Sequence, residues 1–189
     1  SECRGGTVNK QADFFVHYSG AATTTIAGLG HLEGEEVVAW GDGVDLSPGV
    51  DGDQVRYTVS GAQITLSQAV SECTAGRPYS ASYKSAKQAF AAAMGTPLNQ
   101  RKKIDHVGLI LADTHAKGLQ YGPDFDSLDD LPDVEDHEEI DADYVWSSYD
   151  KDMLEFDGDW DTDSRFCLKA HAPRPATVLA VSISMTTSG

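Results

Sequence analysis

The sequence predicts an all-β protein, an antiparallel β-sandwich or barrel of short strands with a long acidic loop insert and at most one short helix. Between residues 28 and 66, three short apolar runs are each ended by turns that contain glycine, the residue that best tolerates the positive φ of tight hairpin turns. Similar runs recur along the chain at a spacing of about 8–12 residues, which is typical of sandwiches and barrels. The 18 glycines and the 40% hydrophobic content also favour many turns over a helical bundle.

In the first half of the chain, the predicted strands are the apolar runs between these turns. Ser60-Gly61 reads as a two-residue hairpin connection, and Gly41-Asp42-Gly43 ends the preceding strand in the same way. The expected strands cover residues 13–18, 23–27, 37–40, 55–59, 64–66, 69–75 and 79–84. Residues 84–94 are rich in alanine and end before Gly95, so they are the one helix candidate. The alternation of residues 79–84 equally favours a strand that runs on into them.

The second half is expected to contain one central strand. Residues 104–112 carry apolar side chains on both faces, which indicates a strand covered on two sides. Val107, Leu109 and Leu111 should point one way, and Ile104 and Ile110 the other. Residues 119–121 and 165–170 are shorter candidates, and residues 177–185 alternate as an amphipathic closing strand whose apolar side is buried.

Most of the negative charge falls in one segment, residues 124–163. This acidic segment holds 18 of the 30 Asp and Glu and one lysine, a net charge of −17, and leaves 12 acidic and 13 basic residues elsewhere, or +1. Such a run of like charge is typical of a solvated, partly flexible loop. An acidic surface repels phosphate backbones, so we expect no sequence-specific binding of nucleic acid. Arg101-Lys102-Lys103 is a basic cluster on which the segment could dock.

The cysteines and the lack of a long apolar run argue against a disulfide-rich protein, a zinc site and a membrane-spanning protein. Cys3, Cys73 and Cys167 are odd in number and lack CxxC spacing, so they read as buried or incidental thiols. No apolar run of about 18 residues occurs, and no membrane span is expected. The chain begins with serine and shows no signal-peptide pattern. We therefore expect a single β-rich module, residues 1–189, that is a fragment of a longer chain or a processed product.

No motif for catalysis is recognisable. GxSxG, HExxH, Walker and GxGxxG patterns are missing, and no two of the six histidines have metal-ligand spacing. A triad assembled in space stays open, but abundance of Ser, His and Asp is weak support for one. We expect no enzyme, no catalytic residue and no cofactor.

The sharpest metal candidate is a run of alternating aspartates. Asp157, Asp159, Asp161 and Asp163 occupy positions 1, 3, 5 and 7 of a calcium-loop pattern, and hard cations prefer such oxygen ligands. Thr162 replaces the glycine of the sixth position and Leu168 replaces the glutamate of the twelfth, so an EF-hand is rejected. A looser, weak Ca²⁺ or Mg²⁺ site is the alternative that remains.

Carbohydrate binding or hydrolysis is the other candidate function for a site. Trp40, Trp146 and Trp160 could stack on a glycan, although each also suits ordinary packing. The adjacent carboxylates Glu138-Glu139 and Asp129-Asp130 point to opposite faces of an extended chain, so they do not form a glycosidase pair.

Several segments, in order, resemble the C-terminal region of the tail nozzle (tail tubular, or stabilisation) proteins of tailed bacteriophages. They are GLGHLEG at 28–34, Asp42-Gly43, GAQITL at 61–66, AGRPYSAS at 75–82, KKIDHVGLILADTHAKGLQYG at 102–122, and a late pattern of Gly158, Trp160, Arg165, Pro173, Pro175 and TVLA at 177–180. The chain departs from the family at 75–78, where AGRP replaces a hydrophobic residue followed by Gly-Leu-Pro. It also departs in the length and charge of the acidic segment.

The resemblance implies a structural protein of the virion, in which residues 1–189 would form the C-terminal part of a longer chain. Its expected partners are further copies in a homo-oligomeric ring, with a hexamer among the options, and other tail proteins such as the portal, its adaptor and the fibres. It implies a part in tail assembly and in the conduit for genome ejection, and it transfers no active site. A host-surface glycan-binding tail module is the alternative function.

Overall fold

The computed structural model describes residues 11–47, 56–89, 99–132, 134–135, 138–141 and 143–188, and these are nearly all β. The strands are β1 (Asp13–Ala27), β2 (Glu36–Gly41), β3 (Val44–Asp45), β4 (Tyr57–Thr58), β5 (Gln63–Arg77), β6 (Ser80–Lys84), β7 (Lys102–His115), β8 (Leu119–Asp124), β9 (Ser127–Asp130), β10 (Val134–Glu135), β11 (Glu138–Glu139), β12 (Val145–Glu155), β13 (Cys167–His171) and β14 (Thr177–Thr187). Gly30–Leu32 form a 3₁₀ turn.

The strands form antiparallel sheets that confirm the predicted sandwich-like fold. A five-stranded sheet has the order β1-β5-β2-β3, with β4 also paired to β2. The second half holds a three-stranded sheet, β12-β7-β14, a four-stranded sheet, β6-β13-β8-β9, and the small hairpin β10-β11. All of these sheets are open among the described residues, so the alternative of a closed barrel is wrong for them.

Two hydrophobic cores lie in the two halves of the chain. The first is built on β1, β2 and β5, from residues such as Ile26, Val37 and Val70. The second lies between the three- and four-stranded sheets, and Val107, Leu109 and Leu111 of β7 are each no more than 1% exposed there. Burying one such side chain is worth about 1.5–3 kcal/mol. Because it lies between two sheets, the second core is the interior of the sandwich.

Two strands are longer than the sequence suggested. Residues 13–18 and 23–27 join in β1, and residues 64–66 and 69–75 join in β5. These two 15-residue strands pair with each other, and register shifts between Ser19 and Thr25 absorb the small residues that looked like a turn. Bulges let a strand continue past an irregularity that would otherwise end it.

The predicted turns are close to those observed. Asp42 (φ 49°) and Gly43 (φ 90°) form the two-residue turn between β2 and β3, as expected. The second turn is displaced by one residue, because Gly61 (φ 62°) and Ala62 (φ 60°) are its centre and Ser60 pairs with Gln63. Two successive positive φ angles are the signature of a type I′ hairpin turn.

Strand β7 is central, as predicted, with β12 on one side and β14 on the other. Its side chains do not alternate throughout, because a register shift near Asp105 turns Ile104 to the same core as Val107. Ile110 is 40% exposed, so the second face of β7 is not covered. In the closing strand β14, Val181, Ile183 and Met185 pack on the core, whereas Leu179 is 64% exposed.

The acidic segment is not the long loop that its composition indicated. Its strand β12 pairs along β7, and Trp146, Tyr149 and Leu154 of β12 are buried in the second core. Strand β9 pairs with β8. Apolar side chains spaced among carboxylates thus fold the segment against the sandwich.

The helix candidate is partly tested. Lys84 belongs to β6, and residues 85–89 are irregular, with Phe166 N donating to Ser85 Oγ. The predicted strand 79–84 is confirmed, but it does not run on into the helix candidate, and residues 85–89 are neither strand nor helix. Residues 90–94 lie outside the described residues, as do residue 55 of the predicted strand 55–59 and Cys3.

Candidate functional site

The acidic segment supplies one outer strand to each sheet of the second half. Strand β12 is an edge of the three-stranded sheet, and β9 is an edge of the four-stranded sheet. Their exposed carboxylates include Asp129, Asp130, Asp150 and Glu155. The segment therefore concentrates negative charge along two sheet edges.

An acidic groove of about 430 Å³ lies at the end of this segment. Carboxylates line it on several sides, and Lys84 and Arg165 are its basic side chains. The carboxylates are Asp124, Asp157, Asp159, Asp161 and Asp163. The basic cluster predicted as a docking partner does contact this region, since Arg101 Nη2 donates to Trp160 O at 3.1 Å and the backbone of Lys102 bridges that of Asp161.

The four aspartates proposed as cation ligands are not gathered into a ligand set. Asp163 Oδ1 accepts from Arg165 Nε at 2.9 Å, a hydrogen bond that lowers the pKa of Asp163. Asp161 Oδ1 accepts from the Thr162 amide at 2.6 Å. In the part of the chain that the structure describes, no three His, Cys, Asp or Glu side chains are arranged to hold a metal ion. The four aspartates line the same groove, but their carboxylates do not surround a common point where a cation could bind.

The tryptophans do not form a sugar platform. Trp40 and Trp146 are 1% and 3% exposed and belong to the interior, whereas Trp160 is 42% exposed beside the acidic groove. Stacking on a glycan needs an accessible ring face. The glycan hypothesis built on Trp40, Trp146 and Trp160 is therefore wrong for the first two.

A buried ion pair connects the two halves of the chain. Arg174 Nε donates to Asp45 Oδ2 at 2.9 Å, and the two side chains are 9% and 1% exposed. Arg174 Nη1 also donates to Lys117 O, and Asp45 Oδ1 accepts from the Ser47 amide at 2.8 Å. Burial raises the pKa of Asp45, and the Ser47 amide and the Arg174 cation oppose that rise. Sequence reasoning missed this pair, whose partners are 129 residues apart.

His115 lies in the same junction, with its side chain 1% exposed. The Lys117 amide donates to His115 Nδ1 at 3.0 Å, so the proton of the neutral ring is on Nε2. Among the described residues Nε2 has no hydrogen-bond partner, and Asp143 Oδ1 is 3.6 Å away. The ring packs edge-on against Trp40 at a centroid distance of 5.6 Å. Burial, aided by the Arg174 cation, lowers the pKa of His115 to about 4.

This histidine predicts that acid will destabilise the fold. The pKa of His115 is about 4 in the folded chain and 6.5 for an ordinary histidine. Between these two pH values the unfolded chain binds a proton at this residue and the folded chain does not. The contribution of His115 to the free energy of unfolding is fully present above pH 6.5 and falls by an amount on the order of 3 kcal/mol as the pH is lowered to 4. Urea unfolding at about pH 7 and about pH 4 measures this loss.

Two variants isolate the contribution of His115. His115→Gln should shrink the acid loss, because no imidazole is left to protonate. His171→Gln is the matched control: burial lowers its pKa too, but the side chain is only partly buried. An NMR titration that gave His115 a pKa of 6 or above would contradict the prediction.

The chain also carries an apolar groove of about 550 Å³ between β6, β13 and β14. Leu168, Ala170, Val178, Leu179 and Tyr83 line it, and Lys169 is its charged member. Tyr83 and Leu179 are 54% and 64% exposed. The sequence signal for this groove is the uncharged strand 177–185, for which the alternation predicts one buried apolar side and gives no sign of an exposed apolar surface.

The two cysteines that the structure describes agree with the sequence. Cys73 and Cys167 are free, buried thiols, and burial raises the pKa of Cys73 to about 12. Among the described residues no helix is long and apolar enough to cross a membrane.

No protein-family model matches the sequence, and none of the curated proteins matches it significantly.

Proposed function

We propose that this chain is a structural subunit of a bacteriophage tail, part of the nozzle or tube through which the genome is ejected. It acts as one copy in a homo-oligomeric ring, with a hexamer among the options, and contacts portal or adaptor and fibre proteins. The proposal begins from the ordered motifs between residues 28 and 180. It gives the protein no catalytic role.

The supporting observation is the placement of charge. The acidic segment carries −17 while the remainder carries +1, and the segment occupies the edges β9 and β12 and the acidic groove. A conduit wall that attracted phosphates would retain the DNA, whereas a wall of carboxylates repels it. We therefore propose that the acidic segment faces the passage.

Neutralising exposed carboxylates of the segment tests this role. In phage that carry Asp129→Asn, Asp157→Asn and Asp159→Asn together, we expect genome ejection to be several-fold slower, or DNA to be retained on the particles. The matched control replaces the same three residues with Glu, which keeps the charge. Normal ejection by the asparagine variant would mean that the carboxylates only solvate an outer surface.

A further inference from the structure

Most of the sheet edges in the described structure are protected against pairing with another chain. The edges β9 and β12 carry charged side chains, among them Asp129, Asp130, Asp150 and Lys151. The edges β3, β4 and β6 span only two, two and five residues. Charge and shortness are the usual means by which proteins prevent edge-to-edge association.

Two long edges lack this protection. Strand β14 has 11 residues and no charged side chain, and the 15 residues of β1 include one carboxylate, Asp13, and one imidazole, His17. They belong to different sheets and to different halves of the chain. In a protein with a net charge of −16, such neutral surfaces are where two copies approach with least repulsion.

Strand β1 presents an aromatic knob. Phe14 is 71% exposed and has φ 48°, a conformation that is rare for a bulky residue. His31 Nε2 donates to Phe14 O at 2.6 Å. A Cβ on Gly76 would lie 2.8 Å from the Phe15 Cα, so glycine there permits the close approach of β5. A strained, exposed aromatic held by its surroundings indicates a contact role.

Strand β14 presents a matching recess. The apolar groove beside it is open to solvent and is bordered by Leu179, Tyr83 and Ala170. Its volume of about 550 Å³ accommodates a phenyl ring. A large aromatic side chain in an apolar pocket is the usual anchor of a protein interface.

We infer that Phe14 on β1 of one copy inserts into the apolar groove beside β14 of a second copy. The inference rests on the proposed oligomeric role and names the surfaces that join the subunits. Because the knob and the groove are different surfaces, the contact is heterologous, and repetition of it closes a ring or extends a filament. The charged edges β9 and β12 then remain outside the contact.

Two variants, each defective in one surface, test the contact. We expect the unaltered 189-residue chain to associate with rising concentration in light scattering, and Phe14→Asp and Leu179→Asp each to weaken association by roughly 30-fold or more. Mixed together, the two variants should form 1:1 dimers, because each retains the surface that the other lacks. Met153→Asp is the matched control, since Met153 is 68% exposed on β12 and acquires the same charge.

Phe14→Gly separates the contact from the stability of one subunit. Glycine adopts φ 48° without strain, so the melting temperature of the monomer should rise while association is lost. A melting temperature that falls would show that Phe14 serves the fold of its own chain and would overturn the inference.

The outcomes also distinguish this inference from the proposed function. Association that survives both aspartate variants would place the contact elsewhere and leave the oligomeric role standing. An unaltered chain that stays monomeric at the highest attainable concentration, in high salt that screens the net charge, would overturn both.

Discussion

Replacing Arg174 with methionine is expected to destabilise the folded chain by about 3–5 kcal/mol, because the Asp45 carboxylate would be left buried without its cation. The two side chains are joined at 2.9 Å and are almost fully buried, so water cannot replace the guanidinium. Urea unfolding at neutral pH measures the loss.

Two comparisons show whether the buried pair is the cause. The double variant Asp45→Asn with Arg174→Met should cost clearly less than the sum of the single variants, since neither charge is then orphaned. Arg56→Met breaks a pair of similar length with Glu36, 3.1 Å, whose side chains are about half exposed, and should cost no more than about 1 kcal/mol. Equal costs for the Arg174 and Arg56 variants would contradict the prediction.

Trp40→Ala is expected to cost about 3–5 kcal/mol, because it leaves a large cavity in the interior. Trp40 is 1% exposed and packs edge-on against His115, so it bridges a strand of the first half and the end of β7. Loss of the ring removes an aromatic contact across the junction as well as buried area.

Trp160→Ala is the control for this variant. Trp160 is 42% exposed, so its removal should have a small effect on the same unfolding curve. If both tryptophan variants were equally stable, Trp40 would not be a structural link between the halves.

The sequence predicted the strands where local chemistry decides them. Asp42-Gly43 turned as expected, because few residues tolerate two successive positive φ angles. Strand β7 was recognisable because its long apolar run has no helical spacing. The length of β1 was not, since Gly20, Ala21 and Ala22 look like a turn, whereas pairing with β5 on both sides of them, at Ser19 and Thr23, continues the strand.

The long-range features were beyond local reasoning. Trp146, Tyr149 and Leu154 gave β12 its core contacts, but the surrounding carboxylates dominated the composition and predicted a loop. Asp45 and Arg174 are unremarkable in sequence, and only the folded chain brings them to 2.9 Å. The apolar groove was not predictable from the sequence. The alternation in β14 indicates that one face of the strand is buried, but it does not indicate which part of the strand's length is covered.

The order of Asp45 and Arg174 along the chain has a consequence for biosynthesis. The buried residues of the first core lie within residues 26–75, so this core is available to fold early on the ribosome, as domains commonly do. The ion pair of Asp45 with Arg174 cannot form until residue 174 has been translated. The pairing of β7 with β14 likewise requires the synthesis of β14. Premature termination before this point would leave nascent chains with an uncompensated acid and a bare central strand, a substrate for quality-control proteases.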